Sequence, residues 1–136
     1  MKQFFMDTSG WIALNSKRDQ LYSKAVELNK KLLKSGYAYV TTNFVLDETY
    51  TGLMTKVGHY VSVDFGEKIR LSKLVSVIHI SREIEDRAWK VFTRYSDKDF
   101  SFTDCTSFIV MKQLRLTDVF TNDRHFEQIG FAFLLK

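Results

Sequence analysis

The sequence contains no proline and a single cysteine, Cys105, among its 136 residues. One thiol excludes a disulfide framework and any zinc site built from several cysteines, and it suits a reducing compartment. Gly/Ser-rich linkers, internal repeats and low-complexity tracts are missing too, so nothing marks a domain boundary. Apolar runs such as Phe108–Met111 and Phe131–Leu135 are far too short to cross a bilayer. The apolar residues before Asp7 are too few for a secretory signal core. The expectation is a cytoplasmic protein without membrane spans, with residues 1–136 forming one domain.

Hydrophobic residues make up 45% of the chain and aromatic residues 15%. That is enough to bury a core, and it argues against global disorder. The net charge of +4 permits a polyanionic partner without demonstrating one.

Lys2–Met6 predicts a short apolar strand running into Asp7-Thr8-Ser9-Gly10, where Asp7 or Thr8 can cap a helix reaching about Asn15. Leu21, Ala25, Leu28 and Leu32 recur at helical spacing and predict a helix over Asp19–Lys34, closed by Gly36. Tyr37–Thr41 predicts a strand. Asn43 is expected to cap a helix over Phe44–Lys56, and Gly58 separates it from another over His59–Ser72. Val75–Ile80 predicts a strand, and Ser81 opens a helix to about Tyr95. The polar loop Ser96–Asp99 leads to Ser101, the cap of a helix over Phe102–Leu114. A strand over Asp118–Thr121, one or two helical turns over Asp123–Gln128 and a strand over Phe131–Leu135 complete the chain. Strands alternating with helices predict an α/β fold, a parallel sheet with helices on both faces.

Ligands of such sheets bind beyond the carboxyl ends of the strands. Asp7 and Asp123 each follow a predicted strand directly. Asp104 lies in the first turn of a helix leading back into a strand, and Glu48 about one turn into a helix leaving one. All four acids therefore belong to the carboxyl edge, and their convergence depends on a strand order that spacing does not give. Each has a plainer role open to it. Asp7 and Asp123 can be helix caps, and Asp104 can complete a capping box with Ser101. Glu48 is expected to face inward with the stripe of Phe44 and Leu53, leaving Asp47 to solvent. A buried, unpaired carboxylate is costly. Clustered carboxylates repel and retain protons unless a cation relieves them. An all-oxygen set favours Mg²⁺ or Mn²⁺ over Zn²⁺.

Four segments carry a family resemblance over almost the whole chain: Phe5-Met6-Asp7-Thr8-Ser9, Val45-Leu46-Asp47-Glu48-Thr49, Ser101-Phe102-Thr103-Asp104-Cys105 and Thr121-Asn122-Asp123-Arg124-His125-Phe126. In this order and at these separations the chain resembles the PIN-domain nucleases, and more closely the VapC-type toxins of toxin–antitoxin pairs. The resemblance implies a three-layer α/β/α fold with a mostly parallel five-stranded sheet in the order 3-2-1-4-5, which brings the acids together. It also implies Mg²⁺- or Mn²⁺-dependent RNA cleavage leaving 5′-phosphate and 3′-hydroxyl ends, a homodimer, and a small VapB-type antitoxin as partner. Asp7, Glu48, Asp104 and Asp123 then become the metal-holding catalytic acids.

Around them, Thr8 and Ser9 can hydrogen-bond a metal ligand or a phosphate, with helix capping the plainer role. Lys98 and Arg124 can neutralise RNA phosphates or stand as solvated charges. Asp99 is a candidate further ligand. His125 can donate a proton, although a solvent-facing position is favoured. Trp11 and Trp89 are expected in the core, and Cys105 as a small buried filler. Two rival enzyme classes fit poorly. A haloacid-dehalogenase-type phosphotransferase needs a second acid where Ser9 stands, and a receiver domain needs an acidic pair where Asp7 stands alone. The alternative of another class is a PIN-like module that binds RNA or protein without cutting.

Overall fold

The computed structural model describes residues 2–135. The elements run β1 (Lys2–Met6), α1 (Thr8–Asn15), α2 (Tyr22–Lys34), β2 (Tyr37–Thr42), α3 (Asn43–Lys56), α4 (His59–Leu71), β3 (Val75–Ile78), α5 (Arg82–Arg94), α6 (Phe102–Gln113), β4 (Asp118–Phe120), α7 (His125–Gln128) and β5 (Ala132–Phe133). The sheet order is β3-β2-β1-β4-β5, as the resemblance implied, and every pairing is parallel. The chain steps outward from β1 to β3, then returns past β1 to β4 and β5. With right-handed crossovers, that reversal puts α1–α4 on one face and α5–α7 on the other. It also opens a crevice at the carboxyl ends of β1 and β4, where the strand order changes direction.

β1 is the central strand, and Phe4, Phe5 and Met6 are fully buried. A strand covered on both faces reads as a continuous apolar run rather than an alternating one. Phe4 meets Tyr39 and Phe120 on its flanking strands, while Phe5 meets Phe126. Trp11 lies in the core as expected, its ring 5.3 Å from those of Tyr39 and Phe65, and its Nε1–H donates to Thr41 Oγ1.

Several local expectations need correction. α2 begins at Tyr22 rather than Asp19, because the Asp19 carboxylate accepts the Leu21 N–H at 2.8 Å in an Asx turn. Thr42, not Asn43, caps α3: Thr42 Oγ1 accepts the Val45 N–H at 3.0 Å. Asn43 Oδ1 instead accepts the Ile80 N–H at 2.8 Å, which ties α3 to the chain leaving β3. Neither Asp7 nor Thr8 caps α1 through its side chain; Asp7 holds the N-cap backbone position while its carboxylate points elsewhere. Trp89 is 57% exposed rather than buried. α5 buries Ile84 and Ala88, four residues apart on one stripe, and Trp89 lies about 100° around the helix from Ala88. Its ring rests beside Phe92 and Phe102. Ser81 and Ser101 cap α5 and α6 as expected, and Gly36 closes α2 with φ +87°.

One close approach sets the crevice. A Cβ on Gly10 would lie 2.3 Å from the Phe120 carbonyl oxygen, so only glycine lets α1 start this close to the end of β4. The same carbonyl accepts the Asp7 N–H. Gly10→Ala is expected to cost about 1–3 kcal/mol or more, read as a lower urea midpoint. An unchanged midpoint would show that α1 does not pack against β4 in this way.

Candidate active site

Asp7 leaves β1 into the crevice and is 4% exposed. Its Oδ2 accepts the hydroxyl proton of Thr121 at 2.9 Å. Thr121 follows β4, is fully buried, and its Oγ1 accepts the Asp123 N–H at 3.0 Å. Ser9 Oγ lies 2.8 Å from Thr121 Oγ1 and accepts the Asn122 N–H at 3.1 Å. A hydroxyl has one proton to give. With the Thr121 proton on Asp7, Ser9 must donate to Thr121. The bonds then run one way, from Asn122 through Ser9 and Thr121 to Asp7, stitching the ends of β1 and β4 together. Ser9 therefore orients a site acid rather than capping α1. Thr121 escaped the sequence reading because a threonine at a strand end has no distinguishing pattern.

Asp104 holds both of the roles that the sequence left open. Its Oδ2 accepts the Ser101 N–H at 3.1 Å and Ser101 Oγ accepts the Asp104 N–H at 2.9 Å, a complete capping box. The capped turn aims the same carboxylate into the crevice. His125 Nδ1 stands 3.2 Å from Asp104 Oδ2 and 3.2 Å from Asp123 Oδ1. The expectation of a solvent-facing His125 was wrong: the ring is largely covered and packs edge-on against Phe100, centroids 5.4 Å apart. The legible signal was the two-residue spacing from Asp123 to His125. Asp123 Oδ1 accepts the His125 N–H at 2.9 Å, and that local turn brings the imidazole back beside the carboxylate. Asp104, Asp123 and His125 offer three donor atoms within 4.8 Å of one another.

Glu48 is exposed, against the expectation that it faces inward. The buried stripe of α3 is Val45, Leu46, Thr49 and Leu53, and Glu48 lies beside it. Its Oε1 accepts the Thr8 hydroxyl proton at 2.9 Å. Thr8 adjoins Asp7, so Glu48 is tied to the mouth of the crevice rather than to the core.

The electrostatics follow from burial and crowding. Burial, then Asp104, and to a lesser degree Asp123, push the Asp7 carboxyl up to about 7; the Thr121 hydroxyl and the Thr8 amide oppose them. Asp104 is also pushed up, by burial first and then by Asp123. Burial and the neighbouring Asp104 push the Cys105 thiol up to about 11, so this side chain stays protonated and fills the core. Lys68, Arg87, Lys98 and Arg124 pair with Asp64, Glu83, Asp97 and Glu127, none of them a site acid. Lys98 pairs with Asp97 and Arg124 with Glu127, both on the surface, and Asp99 sits on an exposed loop outside the group. Buried, mutually repelling oxygen donors that none of these lysine or arginine ion pairs reaches, with the His125 imidazole beside two of them, fit a divalent cation.

An α/β sheet in the order 3-2-1-4-5, with acids gathered at its reversal point, defines the class. The chain belongs to the PIN-domain family, whose family model matches residues 4–132. It is 37% identical over 129 residues to the 23S rRNA-specific endonuclease VapC20 of Mycobacterium tuberculosis, covering 94% of this chain and 95% of that protein. It is 32% identical over 114 residues to a VapC ribonuclease of Archaeoglobus fulgidus, covering 82% of this chain and 71% of that one. The crystal structure of M. tuberculosis VapC20, described as a sarcin–ricin loop cleaving toxin, superimposes with a TM-score of 0.85 at 35% identity, covering 95% and 96% of the two chains. FitAcB of Neisseria gonorrhoeae shares the fold, with a TM-score of 0.70 at 14% identity over 96% of each chain.

Without a cation, the folded protein holds a proton on Asp7 that the unfolded chain, with its carboxyl near 3.8, releases. The folded state then binds more protons between about pH 4 and 7, so stability present below that window is lost as pH rises through it. Asp104 contributes with the same sign. In EDTA, urea unfolding should show lower stability at pH 8 than at pH 5. Asp7→Asn should be more stable than wild type at pH 8, by on the order of a few kcal/mol. A wild-type stability independent of pH, with no gain in the variant, would contradict this electrostatic picture.

Proposed function

We propose that the chain is a divalent-metal-dependent endoribonuclease, the toxin of a VapBC-type toxin–antitoxin pair, acting in the cytoplasm as a single PIN domain. The observation that carries this reading is the convergence of Asp7, Asp104 and Asp123 at the crevice, two of them held above the ordinary carboxyl range, with Glu48 at its mouth. Mg²⁺ is the cofactor, with Mn²⁺ able to substitute. The near-full-length likeness to a 23S rRNA-specific endonuclease supports ribosomal RNA as the substrate class.

Asp7, Glu48, Asp104 and Asp123 hold the cation. When bound, the ion supplies Lewis acidity for activating water and stabilising charge on the phosphate oxygens. The chain's own groups do the positioning. Thr121 and Ser9 fix the Asp7 carboxylate, Thr8 fixes Glu48, and the capping box fixes Asp104. Lys98 and Arg124, exposed and only loosely paired at 3.6 Å, meet the RNA backbone farther out. A VapB-type antitoxin and a second copy of the chain complete the assembly.

Purified protein is expected to cleave ribosomal RNA in Mg²⁺ or Mn²⁺, and EDTA should abolish the activity. Asp7→Asn and Asp104→Asn should each lower the rate by about a hundredfold or more with the fold intact by circular dichroism. Lys98→Ala should weaken RNA binding far more than turnover. RNA that is bound but stays whole in both metals would leave a binding module in place of an enzyme.

A further inference from the structure

The site contains one group that an all-carboxylate cluster does not need. His125 Nδ1 lies 3.2 Å from Asp104 Oδ2 and 3.2 Å from Asp123 Oδ1. Neighbouring donors on an octahedral ion with bonds of about 2.1 Å stand about 3 Å apart. The imidazole nitrogen therefore keeps the separation of a neighbouring ligand from both carboxylates. Two features hold it there: the Asp123 carboxylate accepts the His125 backbone N–H, and the ring stands edge-on to Phe100. We propose that His125 is a direct nitrogen ligand of the cation held by Asp104 and Asp123. In this role the imidazole would offer the Nδ1 lone pair to the cation, with the ring proton on Nε2.

This inference rests on the proposed metal site and adds a consequence for metal choice. Imidazole favours Mn²⁺ and later first-row ions, whereas Mg²⁺ prefers carboxylate and water oxygens. His125 therefore tunes the site toward Mn²⁺.

The test uses untagged full-length protein loaded with Mn²⁺ and pulsed electron paramagnetic resonance, which detects ¹⁴N of a directly bound imidazole. Wild type and His59→Gln should show the nitrogen coupling; His125→Gln and His125→Ala should lose it. In both His125 variants Mn²⁺ affinity should fall about tenfold or more, and Mg²⁺ affinity, read by competition, should fall less. Bound Mn²⁺ without nitrogen coupling, or coupling that survives in His125→Gln, overturns the assignment and leaves the nuclease reading standing. Failure of wild type to bind Mn²⁺ at all overturns both.

Discussion

Carboxylates buried side by side repel one another, and among the described residues the basic group beside them is the His125 imidazole, which reaches Asp104 and Asp123. Asp7 is nearly solvent-free, lies near Asp104 and Asp123, and its carboxyl is pushed up to about 7, by burial first and then by Asp104. Such a group is satisfied either by a proton or by a cation. The pairing partners of the surrounding lysines and arginines lie on the surface, away from the crevice. Retaining the acids at this point weakens the ion-free protein as pH rises, a cost that a structural role for the same residues does not explain.

The rest of the molecule can be understood as what holds these acids together at one edge of the sheet. The strand order places β1 beside β4, and the reversal between them creates the crevice. Gly10 allows α1 to meet the end of β4, and Phe120 O accepts the Asp7 N–H at the same place. Thr121, fully buried, then fixes the carboxylate through a chain of hydroxyls from Ser9. Satisfied polar networks of this kind are rigid because every member that fails leaves a buried group without a partner. Asp104 reaches the crevice by a separate route, a helix cap that doubles as a site residue.

Much of this was legible in the sequence. The alternation of strands and helices specified the layers, and the placement of acids at strand ends specified the edge where they would lie. Strand order was not a property of spacing, and only the family resemblance implied it. Local competition defeated several finer readings. Asn43 looks like a helix cap, yet its side chain serves the distant Ile80 amide while Thr42 does the capping. Glu48 matches an inward stripe in periodicity, but its partner is Thr8, forty residues away in sequence. Trp89 shows how a single 100° step around a helix separates burial from exposure. His125 was misplaced because its neighbours in space include Asp104, twenty-one residues earlier, and no local pattern reports such a contact.

The proposed cation site carries one physical requirement: a cation that binds there displaces the proton that burial and crowding hold on Asp7. Calorimetric titration of Mn²⁺ into the protein at pH 6, in buffers of different ionisation enthalpy, reads that exchange directly. Proton release approaching one per bound ion at pH 6, falling toward zero at pH 9 and reduced in Asp7→Asn, is the predicted result. Tight Mn²⁺ binding at pH 6 with no proton released would contradict it.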